Sequence, residues 1–177
     1  LLGALGPRMT EVAGEVADGL IVHPFNSMPF LIDHALPAVQ RGLAKSNRTR
    51  GDFILQINAI VITGETEEAR AAARESVKGL LGFYASTPAY RPPMDAVGYG
   101  ELQPELNRLS KEGRWDELGK HIDQQFLDAF ATSGTPDEIA GKLRRKYGEH
   151  ADRLAIYAPY AAPDAMWSNI IAALKAG

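Results

Sequence analysis

At 177 residues, 45% hydrophobic and 23% charged, the chain has the balance of a globular domain large enough for a core, which excludes a disordered segment. Its net charge of -3 leaves no electrostatic case for nucleic acid or an anionic membrane as partner. The absence of cysteine excludes a disulfide framework, a thiolate nucleophile and a Cys-based zinc site, and makes a reducing cytoplasm the default.

The chain opens on strand material, Leu1 to Leu5, with no initiator Met, and reads as starting inside a longer unit. Gly6 and Pro7 then start an amphipathic helix that runs to about Ala17. Asp18-Gly19 closes it, and Leu20-Ile21-Val22 is a strand ending at His23; a continuous apolar run suits a parallel sheet covered on both faces. The uncharged run from Gly19 to Ile32 is too short to span a bilayer and carries Pro24 and Pro29. The start also lacks the basic and apolar regions of a signal peptide. Ser27 caps a helix to about Ala44, with Phe30, Leu31, Leu36, Val39 and Leu43 on its apolar side. Pro37 lies inside it and predicts a kink or a late start. After a polar turn at Ser46–Gly51, Phe53 to Thr63 is the clearest strand, although Gln56 and Asn58 interrupt its apolar face.

Thr66 caps a long helix to about Tyr84, and the acidic residues Glu67 and Glu68 suit its dipole. From 86 to 123 the pattern breaks into short helical pieces punctuated by prolines and glycines, a length that fits a functional insertion. Thr135-Pro136-Asp137-Glu138 combines a Thr cap, Pro at the first helical position and Glu at the third. That helix ends near Tyr147-Gly148. Arg153 to Ala158 is the last strand, and Asp164 to Lys175 is a closing helix. Repeated strand–helix units imply a parallel sheet in an α/β fold. Periodicity alone leaves a small open sheet and half of a (β/α)8 barrel both open.

The order Ala4-Leu5-Gly6-Pro7, then Ala13-Gly14-Glu15-Val16-Ala17-Asp18-Gly19, then an apolar strand resembles the fifth-to-sixth strand segment of the bacterial-luciferase-like flavin and deazaflavin oxidoreductases. The Phe53–Thr63 strand with its Gly-Glu-Thr-Glu-Glu-Ala-Arg helix start is similar to the family's seventh unit. Gly134-Thr135-Pro136-Asp137-Glu138-Ile139 is similar to the helix start before its last strand. The resemblance implies the C-terminal half of a (β/α)8 TIM barrel, with residues 1–177 as one partial domain and 86–123 as a helical insertion before the last strand. It implies an oxidoreductase acting on a small-molecule substrate with coenzyme F420, or alternatively FMN. It also implies that the hydride- or proton-transfer residues lie on the earlier strands, so no catalytic residue is carried over. Half a barrel leaves two open sheet edges and an inner apolar face, which predicts a homo-oligomer or the missing N-terminal half as partner. The other reading is a stand-alone half-barrel without chemistry, a binding or oligomerising module.

In a barrel, function sits at the C-terminal ends of the strands. There the resemblance places the phosphate-bearing tail of the cofactor at Ala4, Leu5, Gly6, Pro7, Arg8 and Met9. Free N–H groups near Arg8 and Met9 suit an anion, with the helix dipole adding roughly 0.3–1 kcal/mol. Gly6 is expected to let the phosphate approach, in a backbone where a branched residue would resist a positive φ. The plainer alternative is a tight Gly-Pro turn. His23, at the end of its strand, is a contact for cofactor or substrate or else a hydrogen-bonded structural residue; Asn26 and Ser27 offer polar contacts in the same loop. Tyr84, Tyr90 and Tyr99 line a substrate entrance or pin the insertion. His34, His121 and His150 show no metal-ligand spacing. The run Lys142–Lys146 reads as a solvated helix face, and Glu15 and Asp18 as surface acids.

Overall fold

The computed structural model of the chain describes residues 1–176. Apolar runs bounded by helix starts form five strands in one sheet: β1 (Leu2–Ala4), β2 (Gly19–Val22), β3 (Ile54–Ile62), β4 (Ala131–Ser133) and β5 (Arg153–Tyr157). Every pairing is parallel. β3 is the centre. Ile57 pairs with Val22 on one edge and Leu154 on the other, and Ile60 pairs with Ala131 and Tyr157. β2 and β4 therefore follow each other along one edge of β3, with β5 along the opposite edge. The outer edges of β1 and β5 have no strand partner among the described residues. Parallel strands joined through helices, open at both edges, are the layout of a partial (β/α)8 barrel.

Alternation along β3 divides the core in two. Leu55, Ile57, Ala59 and Val61, with Leu20 and Val22 of β2, pack against the outer helices. These are α1 (Pro7–Val16), α3 (Leu36–Lys45), α9 (Pro136–Tyr147) and α10 (Asp164–Lys175). On the other face, Ile60 and Ile62 near the C-terminal end of β3 join Phe25 in a second core. That core is built mainly by α4 (Glu67–Ala85), α6 (Gln103–Lys111) and α8 (Gln124–Phe130), with the shorter α5 (Arg91–Asp95) and α7 (Trp115–Leu118). These helices thus form a cap over the C-terminal end of β3. Each fully buried Leu, Ile or Phe in these cores contributes about 1.5–3 kcal/mol.

Local signals act as read. Thr66 Oγ1 accepts the Ala69 N–H at 3.1 Å, and Thr135 and Glu138 form a reciprocal capping box. The Pro37 kink takes a specific form. A short α2 (Met28–Phe30), capped by Ser27, runs through a π turn at Leu31–Ala35 into α3, with the Leu36 N–H donating to Leu31 O. Pro37 has no N–H to give the preceding turn and its ring crowds that turn's carbonyls; the wider π turn relieves both.

Two readings are corrected. β4 is absent from the sequence reading, because Ala-Thr-Ser shows no apolar run. It forms because β3 outlasts β2, leaving Ile60–Ile62 with free ladder positions. The Lys142–Lys146 run is not simply solvated. Lys142 Nζ donates to Ser133 O at 2.9 Å and Lys146 Nζ to Ala131 O at 3.2 Å, covering two carbonyls of β4. Four residues of helix rise about 6 Å, close to two residues of strand, so the spacings match. Burial pushes the Lys146 ammonium down to about 8, while Arg144 and Arg145 keep the solvent side.

Candidate functional site

The expected apolar inner face is corrected: opposite α1, α3 and α9 the sheet is polar at its centre, because Gln56 and Asn58 alternate with the outward-facing apolar residues of β3. Register places Gly3, Ile21, Gln56 and Arg153 in one layer. In the next layer Asn58 pairs with Ala155, and His23 continues β2 beside them. Barrel interiors are ordinarily filled by branched apolar side chains. Here Gln56 Nε2 donates to Asn58 Oδ1 at 3.2 Å. The residues that interrupt the apolar pattern of β3 are therefore the ones that line this interior.

His23 sits at the mouth of this face, and its backbone N–H donates to Ala4 O at 3.4 Å, so β1 and β2 end side by side. The Phe25 N–H donates to His23 Nδ1 at 3.1 Å. In the neutral imidazole the proton is then on Nε2. Burial holds its pKa below the ordinary histidine value. The ring lies against Tyr84 at 5.0 Å, edge-on, and Tyr90 at 4.8 Å. Tyr84, in the last turn of α4, reaches across β3 so that its hydroxyl is 3.3 Å from that of Tyr157 at the end of β5. Burial, and then the Tyr157 hydroxyl, push the Tyr84 pKa up, so it stays a phenol. Beneath them Phe25 is fully buried and stacks on Phe130 at 4.4 Å, with Phe126 beyond.

A pH dependence follows. A histidine whose native pKa is depressed binds fewer protons folded than unfolded, so its contribution to stability is complete above the unfolded value and is lost as pH falls through the native one. Thermal melts between pH 7.5 and 5 should show a falling Tm, and His23→Asn, which keeps an acceptor for the Phe25 N–H but cannot titrate, should flatten that part of the profile. An unchanged slope in the variant would remove His23 as the cause.

The loop from β1 to α1 is the second feature of the mouth. Gly6 is the N-cap of α1, with no side-chain cap and no acid in the first turn, and Pro7 occupies the first helical position. Thr10 Oγ1 donates to Gly6 O at 3.0 Å. Gly6, Pro7, Arg8 and Met9 are exposed, whereas Leu5 is half-buried and Ala4 packs against the outer core. The expected positive φ at Gly6 is overturned: φ is -68° and ψ 147°, an extended backbone open to any residue. A Cβ there would meet nothing within 4 Å.

Other polar candidates separate. Ser27 Oγ donates to Pro93 O at 3.3 Å and caps α2, so it joins loop to insertion. Asn26 is buried, and its Oδ1 has no protein partner among the described residues. Tyr84 and Tyr90 come to His23, but Tyr99 turns away to bond both carboxylate oxygens of Asp123 at 2.8 Å. Glu11 is paired with Lys45 and Arg41 on the outside, and Glu15 lies near Lys45 beside them. No cluster of metal-ligating side chains occurs among the described residues. Asn58, Gln56, Tyr157 and Phe25 are missed by the sequence reading; strict alternation from Leu55 and Ile57 would have turned the first two inward.

Residues 1–153 match the family model described as luciferase-like monooxygenase. An uncharacterized protein of Mycobacterium tuberculosis is 44% identical over 153 residues, covering 86% of this chain and 45% of that protein. A 5,10-methylenetetrahydromethanopterin reductase of Archaeoglobus fulgidus is 26% identical over 143 residues, covering 80% of this chain and 42% of its own. Among solved structures, the coenzyme F420-dependent tetrahydromethanopterin reductase of Methanopyrus kandleri superposes with a TM-score of 0.73 at 20% identity, over 97% of this chain and 48% of that one. The chain spans less than half the length of these curated relatives. No helix among the described residues is long and apolar enough to cross a membrane.

Proposed function

Because the chain belongs to the luciferase-like monooxygenase family, we propose that it is part of a coenzyme F420-dependent oxidoreductase of small molecules, contributing the cofactor-phosphate site and one wall of the substrate pocket. The observation that carries this is the uncapped N-terminus of α1 opening beside a polar inner face, at the end of the sheet where barrel enzymes work. The F420-dependent relative supports the choice of cofactor over FMN. Bound there, F420 supplies hydride transfer at its deazaflavin ring.

This chain's residues do the holding. The N–H groups of Arg8 and Met9 have no competing acid in the first turn and point out of the helix end, and the dipole favours the phosphate. The Arg8 guanidinium adds a charge-assisted bond. His23 contacts substrate or cofactor as a neutral donor. The outer edges of β1 and β5, without a strand partner among the described residues, support closure of the barrel by an N-terminal half, in a protein of the cytoplasm.

Titrating F420 by fluorescence into the full-length protein tests this. A charge-assisted bond nets about 1.5–3 kcal/mol, so Arg8→Ala should weaken binding about tenfold to a hundredfold. Gly6→Val is the cleaner probe. Its φ of -68° suits valine and a Cβ there meets nothing within 4 Å, so a loss of affinity reports the ligand's approach and not a damaged fold. Wild-type affinity in both variants, or binding of FMN without F420, overturns the reading.

A further inference from the structure

Three ring groups at the mouth carry three hydrogens, of which only one finds a partner among the described residues. The Tyr84 and Tyr157 hydroxyls hold one hydrogen each, and only one can lie between them. Their 3.3 Å separation is long for a hydroxyl pair, which settles near 2.7–2.8 Å, so even that bond is weak and readily exchanged. His23 presents a third hydrogen. With Nδ1 engaged by the Phe25 N–H, its Nε2–H is uncommitted among the described residues. Donors from the end of β2, from α4 and from β5, far apart in the chain, thus meet at one mouth: the His23 and Tyr84 rings are 5.0 Å apart and the Tyr84 and Tyr157 hydroxyls 3.3 Å.

The chemistry around them is neutral. Burial keeps His23 uncharged and Tyr84 protonated, and the nearby Arg91 is engaged by Asp95 and Glu101. The Tyr84 and Tyr90 rings supply an apolar wall beside the donors. Among the described residues no cation bonds to these rings or stacks on them, Arg8 standing in the first turn of α1 and Arg153 a layer below Asn58, so the three donors offer a carboxylate or phosphate no charge partner. An oxygen with two lone pairs and no charge matches them.

Resting on the oxidoreductase reading above, we propose that His23, Tyr84 and Tyr157 form a subsite that takes the carbonyl or hydroxyl oxygen of a neutral substrate, with its hydrocarbon body against Tyr84 and Tyr90. Two donors on one oxygen favour a carbonyl most, and they strengthen as negative charge develops on it. The three are positioning residues for the substrate oxygen.

Cyclohexanone labelled with ¹³C at the carbonyl tests this on the full-length protein without cofactor, while F420 fluorescence is titrated separately. A saturable downfield displacement of the carbonyl resonance is expected. Tyr84→Phe, Tyr157→Phe and His23→Asn should each weaken cyclohexanone binding about two- to tenfold and reduce the displacement. Cyclohexanecarboxylate should bind more weakly than the ketone. Absence of saturable binding, affinity equal to the unmodified protein in all three variants, or tighter binding of the carboxylate overturns the subsite. F420 binding with no ketone binding sinks this inference and leaves the oxidoreductase reading standing; ketone binding without F420 does the reverse. Should a variant fail to fold, the ¹⁵N imidazole spectrum of His23 in the unmodified protein decides. The Nε2–H tautomer at pH 7.5 supports the subsite, and an Nδ1–H tautomer or an imidazolium overturns it.

Discussion

A Gly42→Ala variant is expected to lose on the order of 2–3 kcal/mol of stability, near 5–10 °C in Tm for a domain of this size. The two outer helices α1 and α3 cross with Gly14 and Gly42 at the contact. A methyl at Gly42 would fall on the carbonyl oxygen of Glu11, and it would lie 2.8 Å from the Glu15 N. Both obstacles are backbone and cannot swing aside, so the helices must separate. Helix propensity works the other way, since alanine is better than glycine by about 1 kcal/mol. Gly79→Ala isolates that term. It lies inside α4 with nothing within 4 Å of a new Cβ, and should stabilise by up to about 1 kcal/mol. Urea unfolding of the two variants should therefore shift in opposite directions. A Gly42→Ala midpoint at or above that of the parent would mean that the crossing is looser than described. The ion pairs of Glu11 with Lys45 and Arg41 span the same crossing, but such exposed pairs are worth little and would not hide the effect.

Phe25→Ala should cost more, about 3–5 kcal/mol, the range for emptying a fully buried aromatic site. Phe25 is 0% exposed and sits where the β2 loop meets the cap. It stacks on Phe130 at 10° between ring planes and touches Tyr84 and Tyr90. Its removal takes out the main apolar tie between sheet and cap. The effect should extend to the mouth. With Tyr84 and Tyr90 no longer held, His23 regains water and its pKa should rise toward the ordinary histidine value, readable by NMR titration. A loss of stability below about 1 kcal/mol, or an unmoved His23 titration, would show that the cap is held by Ile60 and Ile62 instead.

Most of the element boundaries are legible in the sequence because their causes lie within a few residues. Pro7 and Pro136 start helices where the missing N–H costs nothing, Thr66 and the Thr135–Glu138 box satisfy the first free N–H groups, and the Ile- and Val-rich run of β3 is apolar on the side that meets the helices. Local order of this kind, taken with the resemblance, placed the barrel and the exposed Gly6–Met9 turn. What fails locally is what depends on a distant partner. β4 is a strand only because β3 extends beyond β2 and because Lys142 and Lys146 cover its free carbonyls. The backbone at Gly6 is extended because the chain passes straight from β1 into α1, which glycine permits but does not require. The mouth itself is wholly tertiary. Tyr84 and Tyr157 are 73 residues apart in the chain, and Gln56 and Asn58 turn inward because the odd-numbered residues of β3 are claimed by the outer helices. Composition and spacing determine which segments become helix or strand, since those choices are made by neighbouring backbone groups. Which side chains meet, and which of their hydrogens stay free, is decided only when the sheet and its cap close over one another.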